Sequence, residues 1–334
     1  MNKKLRFKNK KIAVIGAGVE GLLSAKWLKE HGALITVLDQ KDGKDYLKNL
    51  DKYDLIVRSP GVKLSTIREA FRQGSKVEIT SQTKLFFDFC PCPIIGVTGT
   101  KGKGTTASLI YEMLKKEGYN AYLGGNIGQP PLEFLDKLST QAIVVLELSS
   151  FQLQDLTKSP HIAVFLMTTS EHLDYHEDIN EYVSAKRNLL RFQTASDFAI
   201  LNKDYPASRE SDTEIKGKVF WVSREGIAEG CFVRGKKIIV RGAEVAHKNF
   251  LVPHSQTARH ANSENFVGSS RTKDIEIIGI KDILLPGAHN LENVRAAVMA
   301  AFLAGVSKQN IVSVLKTFKG LEHRLELVRE VGGV

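Results

Sequence analysis

At 334 residues the chain is long enough for two domains with separate cores, and 43% apolar with 25% charged residues is the balance of an ordinary globular protein. No apolar run approaches the roughly 20 residues needed to cross a bilayer. The run after the basic start MNKKLRFKNKK is too short for a signal core, so a cytoplasmic protein with no membrane partner is expected. The net charge of +10, from 47 basic and 37 acidic residues, raises nucleic-acid binding, but no arginine-rich run, zinc-finger spacing or RNP-type motif is present. No nucleic-acid partner is expected; a surface that handles several phosphates accounts for the charge.

Residues 1–92 read as a small half-Rossmann domain. A buried strand, Lys11 to Ile15, runs into Gly16-Ala-Gly18-Val19-Glu20-Gly21 and an amphipathic helix, and a second strand, Ile35 to Leu38, ends in Asp39. This is a G-x-G-x-x-G turn with an acid about twenty residues on, the layout of a dinucleotide site with Asp39 on a ribose hydroxyl. The lesser alternative is that the glycines serve helix–strand packing alone. A third strand, Tyr53 to Val57, ends in Arg58-Ser59-Pro60-Gly61-Val62. A helix around 66–73, a strand at 76–79 and a helix over 81–89 follow. Cys90-Pro-Cys92-Pro then reads as a linker, since its two thiols lack a second pair for zinc and three cysteines cannot build a disulfide framework.

Residues 93–318 read as a P-loop-type parallel-sheet domain. Strand-like Pro93 to Val97 leads into Gly99-Thr100-Lys101-Gly102-Lys103-Gly104, then Thr105, Thr106 and a helix. Strand, glycine loop, lysine, hydroxyls and helix form a phosphate cradle: N–H groups face the anion, the lysine reaches the outer phosphates and a hydroxyl takes Mg²⁺. Gly104 stands where the usual pattern has a hydroxyl. A glycine turn carrying Asn126 follows, then a buried strand, Ala142 to Leu146, that meets Glu147-Leu-Ser149-Ser-Phe-Gln152. A carboxylate at that strand end suits Mg²⁺ or, alternatively, caps the next helix. The strand Ile162 to Leu166 opens onto Thr168-Thr-Ser-Glu171-His172-Leu-Asp174, where open α/β sheets place ligands. The helix Ile179 to Phe192 presents Lys186, whose spacing alone assigns it no role. After a strand at Phe198 to Asn202 the pattern loses definition, and 242–275 reads as a polar insertion. Regularity returns at Pro286-Gly-Ala-His289-Asn290-Leu-Glu-Asn293, which opens an alanine-rich helix. Residues 319–334 read as a linker.

GVTGTKGKGTT, GGNIGQP, ELSSFQL, EHLDYH followed by AK, GAHNLENVRAA and GLEHRLELV stand here in that order. The set resembles the ATP-dependent Mur ligases of peptidoglycan synthesis. ELSSFQL with RSPGV is most similar to the branch that adds D-glutamate to UDP-N-acetylmuramoyl-L-alanine. The resemblance implies an ATP-dependent amide ligase working through an acyl phosphate, with ATP, D-glutamate and the UDP-linked substrate as partners and a monomeric state. It puts Gly99 to Lys103 around the ATP phosphates, Thr105 or Thr106 with Glu147 on one Mg²⁺, and His172 with a carbamylated Lys186 on a second. Asn126 and Ser149 would lie along the muramoyl substrate, Asn290 at the adenine, and Arg324 at the ATP phosphates or base. Gly18, Val19, Glu20, Asp39, Ser59 and Gly61 would hold the UDP end, which replaces the dinucleotide reading. Met167 and Glu171 depart from the residues usual in the family. The resemblance also implies a third domain after His323-Arg324, where the chain ends, so the chain alone is expected to bind the UDP substrate and make little amide. The competing reading is a non-catalytic nucleotide- and UDP-sugar-binding module.

Overall fold

Short aliphatic runs ending in glycine or a polar residue become parallel strands, and the segments between them become helices that cover both faces. A computed structural model describes residues 6–169, 171, 175–226, 229–242 and 273–321. In the first sheet, β1 (Lys11–Ile15) is followed by α1 (Val19–Glu30), β2 (Leu34–Leu38), β3 (Leu55–Arg58), α2 (Leu64–Glu69), β4 (Glu78–Ser81) and α3 (Gln82–Phe89). All neighbours are parallel, in the order β2-β1-β3-β4. The switch of direction therefore falls at β1, and the crevice beyond the ends of β1 and β3 is where such sheets hold ligands. The helix expected at 66–73 lies at Leu64–Glu69, and the strand expected at 76–79 lies at Glu78–Ser81. The strand runs on to Ser81 because its hydroxyl caps α3, accepting from the Lys84 N–H at 3.2 Å.

The second sheet contains β5 (Ile94–Thr98), α4 (Lys103–Glu117), β6 (Ala121–Gly125), α5 (Pro131–Phe134), β7 (Ile143–Glu147), α6 (Ser150–Leu153), β8 (Ile162–Phe165), α7 (Ile179–Arg191), β9 (Phe198–Asn202) and α8 (Pro206–Arg209). It continues through β10 (Lys218–Ser223), β11 (Gly230–Arg234), β12 (Lys237–Arg241) and β13 (Asp274–Gly279), then α9 (Ala288–Leu303) and α10 (Lys308–Thr317). The order among the described residues is β13-β12-β11-β10-β9-β8-β5-β7-β6, parallel except where β11, β12 and β13 pair antiparallel. β5 stands between β7 and β8, so the glycine loop that follows it sits at this sheet's switch point. Helix α9 is buried along nearly its whole length; Ala296, Ala297, Ala300 and Ala301 let it lie close against α4 and the sheet.

The stretch after Asn202, expected to be irregular, is a correction: it forms β10, β11 and β12. Arg234 at the end of β11 and Lys237 and Arg241 at the ends of β12 hide their apolar centres in the sequence. Gly235 and Lys236, with φ of 54° and 64°, make the tight turn that joins the two strands. The polar insertion ends earlier than expected, because Asp274 and Ile275 already belong to β13; residues 243–272 lie outside the described residues. No helix of the described residues is long and apolar enough to cross a membrane.

The two sheets share a core in which Phe86 meets Phe134 edge-on, with ring centroids 5.6 Å apart. A buried cation ties them further. Arg58, at the end of β3, is 0% exposed. It donates to the carbonyls of Pro60 and Val62 at 3.2 and 3.0 Å in its own sheet. Across the junction it reaches the Phe151 carbonyl at 2.8 Å and the Asp155 carboxylate at 3.2 Å. Removing one partner of a buried ion pair leaves a charge without its counter-ion. Asp155→Ala is therefore expected to cost about 3 kcal/mol in urea-induced unfolding. A loss within about 0.5 kcal/mol of zero, typical of a surface change, would show that the pair does not bind the sheets together.

Candidate active site

The loop between β5 and α4 is shaped by two glycines. Gly99 has φ of 151° and Gly102 has φ of 85°, conformations that side-chain-bearing residues avoid. A Cβ at Gly99 would stand 2.7 Å from Leu166 Cβ, and one at Gly102 would collide with Asn293 Oδ1. Gly102 is the N-cap of α4 and offers no side-chain acceptor, so the N–H groups of a 15-residue helix open on the loop unanswered by a side-chain cap. That cradle fits a polyphosphate. Two cavities adjoin it: one of about 440 Å³ lined by Lys101 and Gly102, the other of about 140 Å³ lined by Gly102, Thr105, Asn290 and Asn293.

The remaining loop residues divide between anchoring the loop and facing these cavities. Thr100 is nearly buried; its N–H donates to the Met167 carbonyl at 2.8 Å, and its hydroxyl to the Thr169 carbonyl at 3.0 Å. Lys103 folds back so that Nζ donates to the Thr100 carbonyl at 2.9 Å. Of the two threonines, Thr105 lines the smaller cavity, whereas Thr106 is 0% exposed. Gly104, just before them, is buried.

Glu147, the last residue of β7, is 3% exposed, and its carbonyl accepts from the Asn126 N–H at 3.0 Å. Lys186 on α7 is 1% exposed and donates to the Gly99 carbonyl at 2.9 Å, with the Tyr182 ring centroid 4.6 Å away. Burial lowers its pKa to about 7; the Lys103 charge adds to this, and the carboxylates of Glu171 and Glu147 partly offset it. Glu147 and Lys186 are thus gathered at the glycine loop. His172 and Arg324 lie outside the described residues. Among the described residues no group of three or more His, Cys, Asp or Glu could hold a metal; Thr105 and Glu147 carry oxygen, the donor type that Mg²⁺ takes.

The G-x-G-x-x-G turn and the Ser59–Val62 turn line a third cavity of about 420 Å³, with Gly18, Val19, Glu20, Asp39, Ser59 and Gly61 on its wall. Several expected ligands here also hold the scaffold. Asp39 accepts from the N–H groups of Ala17 and Lys41 at 2.7 and 3.1 Å, bonds that hold its carboxyl below the usual range. The Ser59 hydroxyl donates to the Gly16 carbonyl at 2.8 Å. Glu20 accepts from Gln152 Nε2 at 2.7 Å, and burial pushes its pKa up. Ser149 caps α6 in a capping box with Gln152. Asn126 is exposed on its glycine turn. Asn290, 6% exposed, donates to the Pro286 carbonyl at 2.6 Å and accepts from Asn293 at 3.0 Å. Two residues that motif reading passed over emerge here: Gln152, which links the sheets through Glu20, and Asn293, which closes the loop at Gly102.

A family model described as the Mur ligase middle domain matches residues 97–301. The chain is 38% identical to the UDP-N-acetylmuramoylalanine--D-glutamate ligase of Acetivibrio thermocellus, over 99% of this chain and 69% of that protein. It is 34% identical to the protein of the same name from Clostridium botulinum strain Langeland, over 98% and 69%. Among solved structures, the UDP-N-acetylmuramate:L-alanyl-gamma-D-glutamyl-meso-diaminopimelate ligase from Neisseria meningitides superposes with a TM-score of 0.57 at 19% identity, covering 94% of this chain and 99% of that one. A UDP-N-acetylmuramoyl-L-alanyl-D-glutamate--2,6-diaminopimelate ligase gives 0.56 at 18% identity, covering 98% and 64%. At such identities the structural likeness speaks to the fold.

The depressed pKa of Lys186 makes stability depend on pH. The native amine loses its proton near pH 7, whereas the unfolded chain keeps it until about 10.5. Between those values the unfolded state binds more protons, so stability rises with pH; below about 7 both forms are protonated and the burial penalty is fully present. In CO₂-free buffer the wild type is expected to gain about 1 kcal/mol more than Lys186→Met over one pH unit above pH 7.5. Parallel urea-melt dependences for the two proteins would show that the amine is not held neutral.

Proposed function

The chain belongs to the Mur ligase family, and from that premise we propose that it is the ATP-dependent ligase that joins D-glutamate to UDP-N-acetylmuramoyl-L-alanine. The observation that carries this reading is the pairing of two glycine turns, each at the switch point of its own parallel sheet, in sheets that share a core. One turn offers the N-terminus of α4 to a triphosphate; the other, with Ser59 and Gly61, offers a separate cavity to the UDP end of the acceptor.

In the proposed reaction a carboxylate oxygen of the UDP-linked substrate attacks the γ-phosphorus of ATP, and ADP leaves. The D-glutamate amine then attacks the acyl carbon, inorganic phosphate leaves, and the amine gives up a proton. The anions repel one another, so the task of the protein is to hold them together and offset their charge. Loop N–H groups from Gly99 to Gly104 would bind the phosphates, and Lys103, now on the Thr100 carbonyl, would swing to the outer phosphate. Mg²⁺, when bound, would add positive charge to that of Lys103, with Thr105 and Glu147 as its oxygen donors and His172 beside a second ion. The neutral, buried amine of Lys186 suits reaction with CO₂, which would turn a cation into an anionic carbamate able to face a metal. Asn290 would meet the adenine and Arg324 the ATP phosphates or base, with Asn126 and Ser149 along the muramoyl group. The proposed setting is the cytoplasm, with a monomeric enzyme.

Lys103→Ala is expected to lower substrate-dependent ADP formation by on the order of 10²-fold or more. Calorimetric titration with UDP-N-acetylmuramoyl-L-alanine should stay near the wild-type affinity. Parallel loss of both would make Lys103 a structural residue, and binding of NAD in place of the UDP substrate would overturn the reading. Lys186→Ala should lose turnover and recover part of it with added formate or acetate; no recovery would remove the carbamate from the account.

A further inference from the structure

The larger cavity beside the glycine loop, about 440 Å³, contains a buried guanidinium that Asp204 and Glu292 attract but that no described residue hydrogen-bonds at Nε. Arg295 on α9 is 2% exposed and lines this cavity, and its Nε is buried with no hydrogen-bond partner among the described residues. The carboxylates nearby are already engaged. One oxygen of Glu292 accepts from Arg224 at 2.6 Å and from the Tyr205 hydroxyl at 3.2 Å, and the other from Asn202 at 3.4 Å. Asp204 accepts from the Ser223 hydroxyl at 2.7 Å and the Arg224 N–H at 3.0 Å. The buried thiol of Cys231 is pushed up to about 12 by burial, so it is uncharged at neutral pH.

A guanidinium cannot shed its proton at neutral pH, so Arg295 has no titration by which to escape the cost of burial. Such a group is stable only opposite an anion. Arg224, paired with Glu292, and Lys101 stand on the same wall, which keeps a net positive charge, while Leu166, Val233 and Ile280 supply an apolar one. We propose that this cavity is an anion site distinct from the nucleotide cradle, taking a small organic carboxylate or phosphate ester whose oxygens face Arg295 and whose apolar body lies on Leu166 and Ile280. The proposal does not depend on the ligase reading; it rests on one buried cation and the space in front of it.

The test uses the full chain with saturating Mg-ADP, so that the glycine loop is already filled, and follows the melting midpoint as inorganic phosphate or acetate is added. The wild-type midpoint should rise by about 2 °C in the millimolar range with at least one of the two. A rise with acetate alone assigns a carboxylate, with phosphate alone a phosphate ester. In Arg295→Met the rise should vanish, and in anion-free buffer that variant should melt no lower than the wild type, because the buried charge is gone. Should Arg295→Met not fold, Arg295→Lys must show a smaller rise than the wild type. No rise with either anion, an equal rise in the variants, or a rise seen only without ADP would overturn the proposal.

Discussion

Much of the second sheet's architecture depends on the space that a missing side chain leaves at Gly102. The Asn293 amide of α9 occupies the position a Cβ would take, so the glycine loop and the start of α9 meet in this arrangement because that residue is glycine. This approach brings α9 onto α4 and leaves the N-terminus of α4 uncapped by any side chain. It also separates the space beside the loop into two cavities, both bordered by Gly102 and Asn293. A side chain at Gly102 would have to push the Asn293 side chain away and hold a φ of 85°, a conformation that residues with a Cβ avoid.

The junction between the sheets is held by a different kind of force. Arg58 satisfies carbonyls on the Ser59–Val62 turn and, across the junction, a carbonyl and a carboxylate beyond α6. Tyr175 donates to the same Pro60 and Val62 carbonyls at 3.1 Å each. Glu20 and Gln152 add a second bridge from the other glycine turn. These bonds are directional, so they fix the relative placement of the two glycine turns more sharply than the apolar contact between Phe86 and Phe134 could alone.

How much of this was legible follows from where each signal lies in the chain. Strands β1, β5 and β7 are apolar runs next to glycine or acid, β8 is an apolar run without either, and a fully buried parallel strand leaves that mark directly. The strands β11 and β12 do not, because Arg234, Lys237 and Arg241 stand at their ends and the turn at Gly235-Lys236 lacks the commoner Asn-Gly pattern. Ser149 and Gln152 stand at the S-x-x-Q spacing of a capping box, so their pairing was readable even though the motif pointed toward substrate. Asp39 likewise sits at the spacing of a ribose ligand while its oxygens bind Ala17 and Lys41. The contacts of Asn293 with Gly102, of Arg58 with Asp155 and of Lys186 with Gly99 join residues far apart in sequence, and only the folded chain brings them together.

Lys186 shows how the same geometry can serve both packing and chemistry. Its Nζ holds the Gly99 carbonyl, and its neighbour Tyr182 shares a hydrogen bond with the Thr100 hydroxyl at 3.0 Å, so α7 braces the start of the glycine loop. A charged lysine in that position would pay for burial and face the like charge of Lys103, and both effects favour the neutral amine. The proton is therefore held less tightly because the site is well packed. Loosening α7 to relieve the burial would raise its pKa and release the loop it supports, so scaffold and chemistry at this position cannot be changed independently.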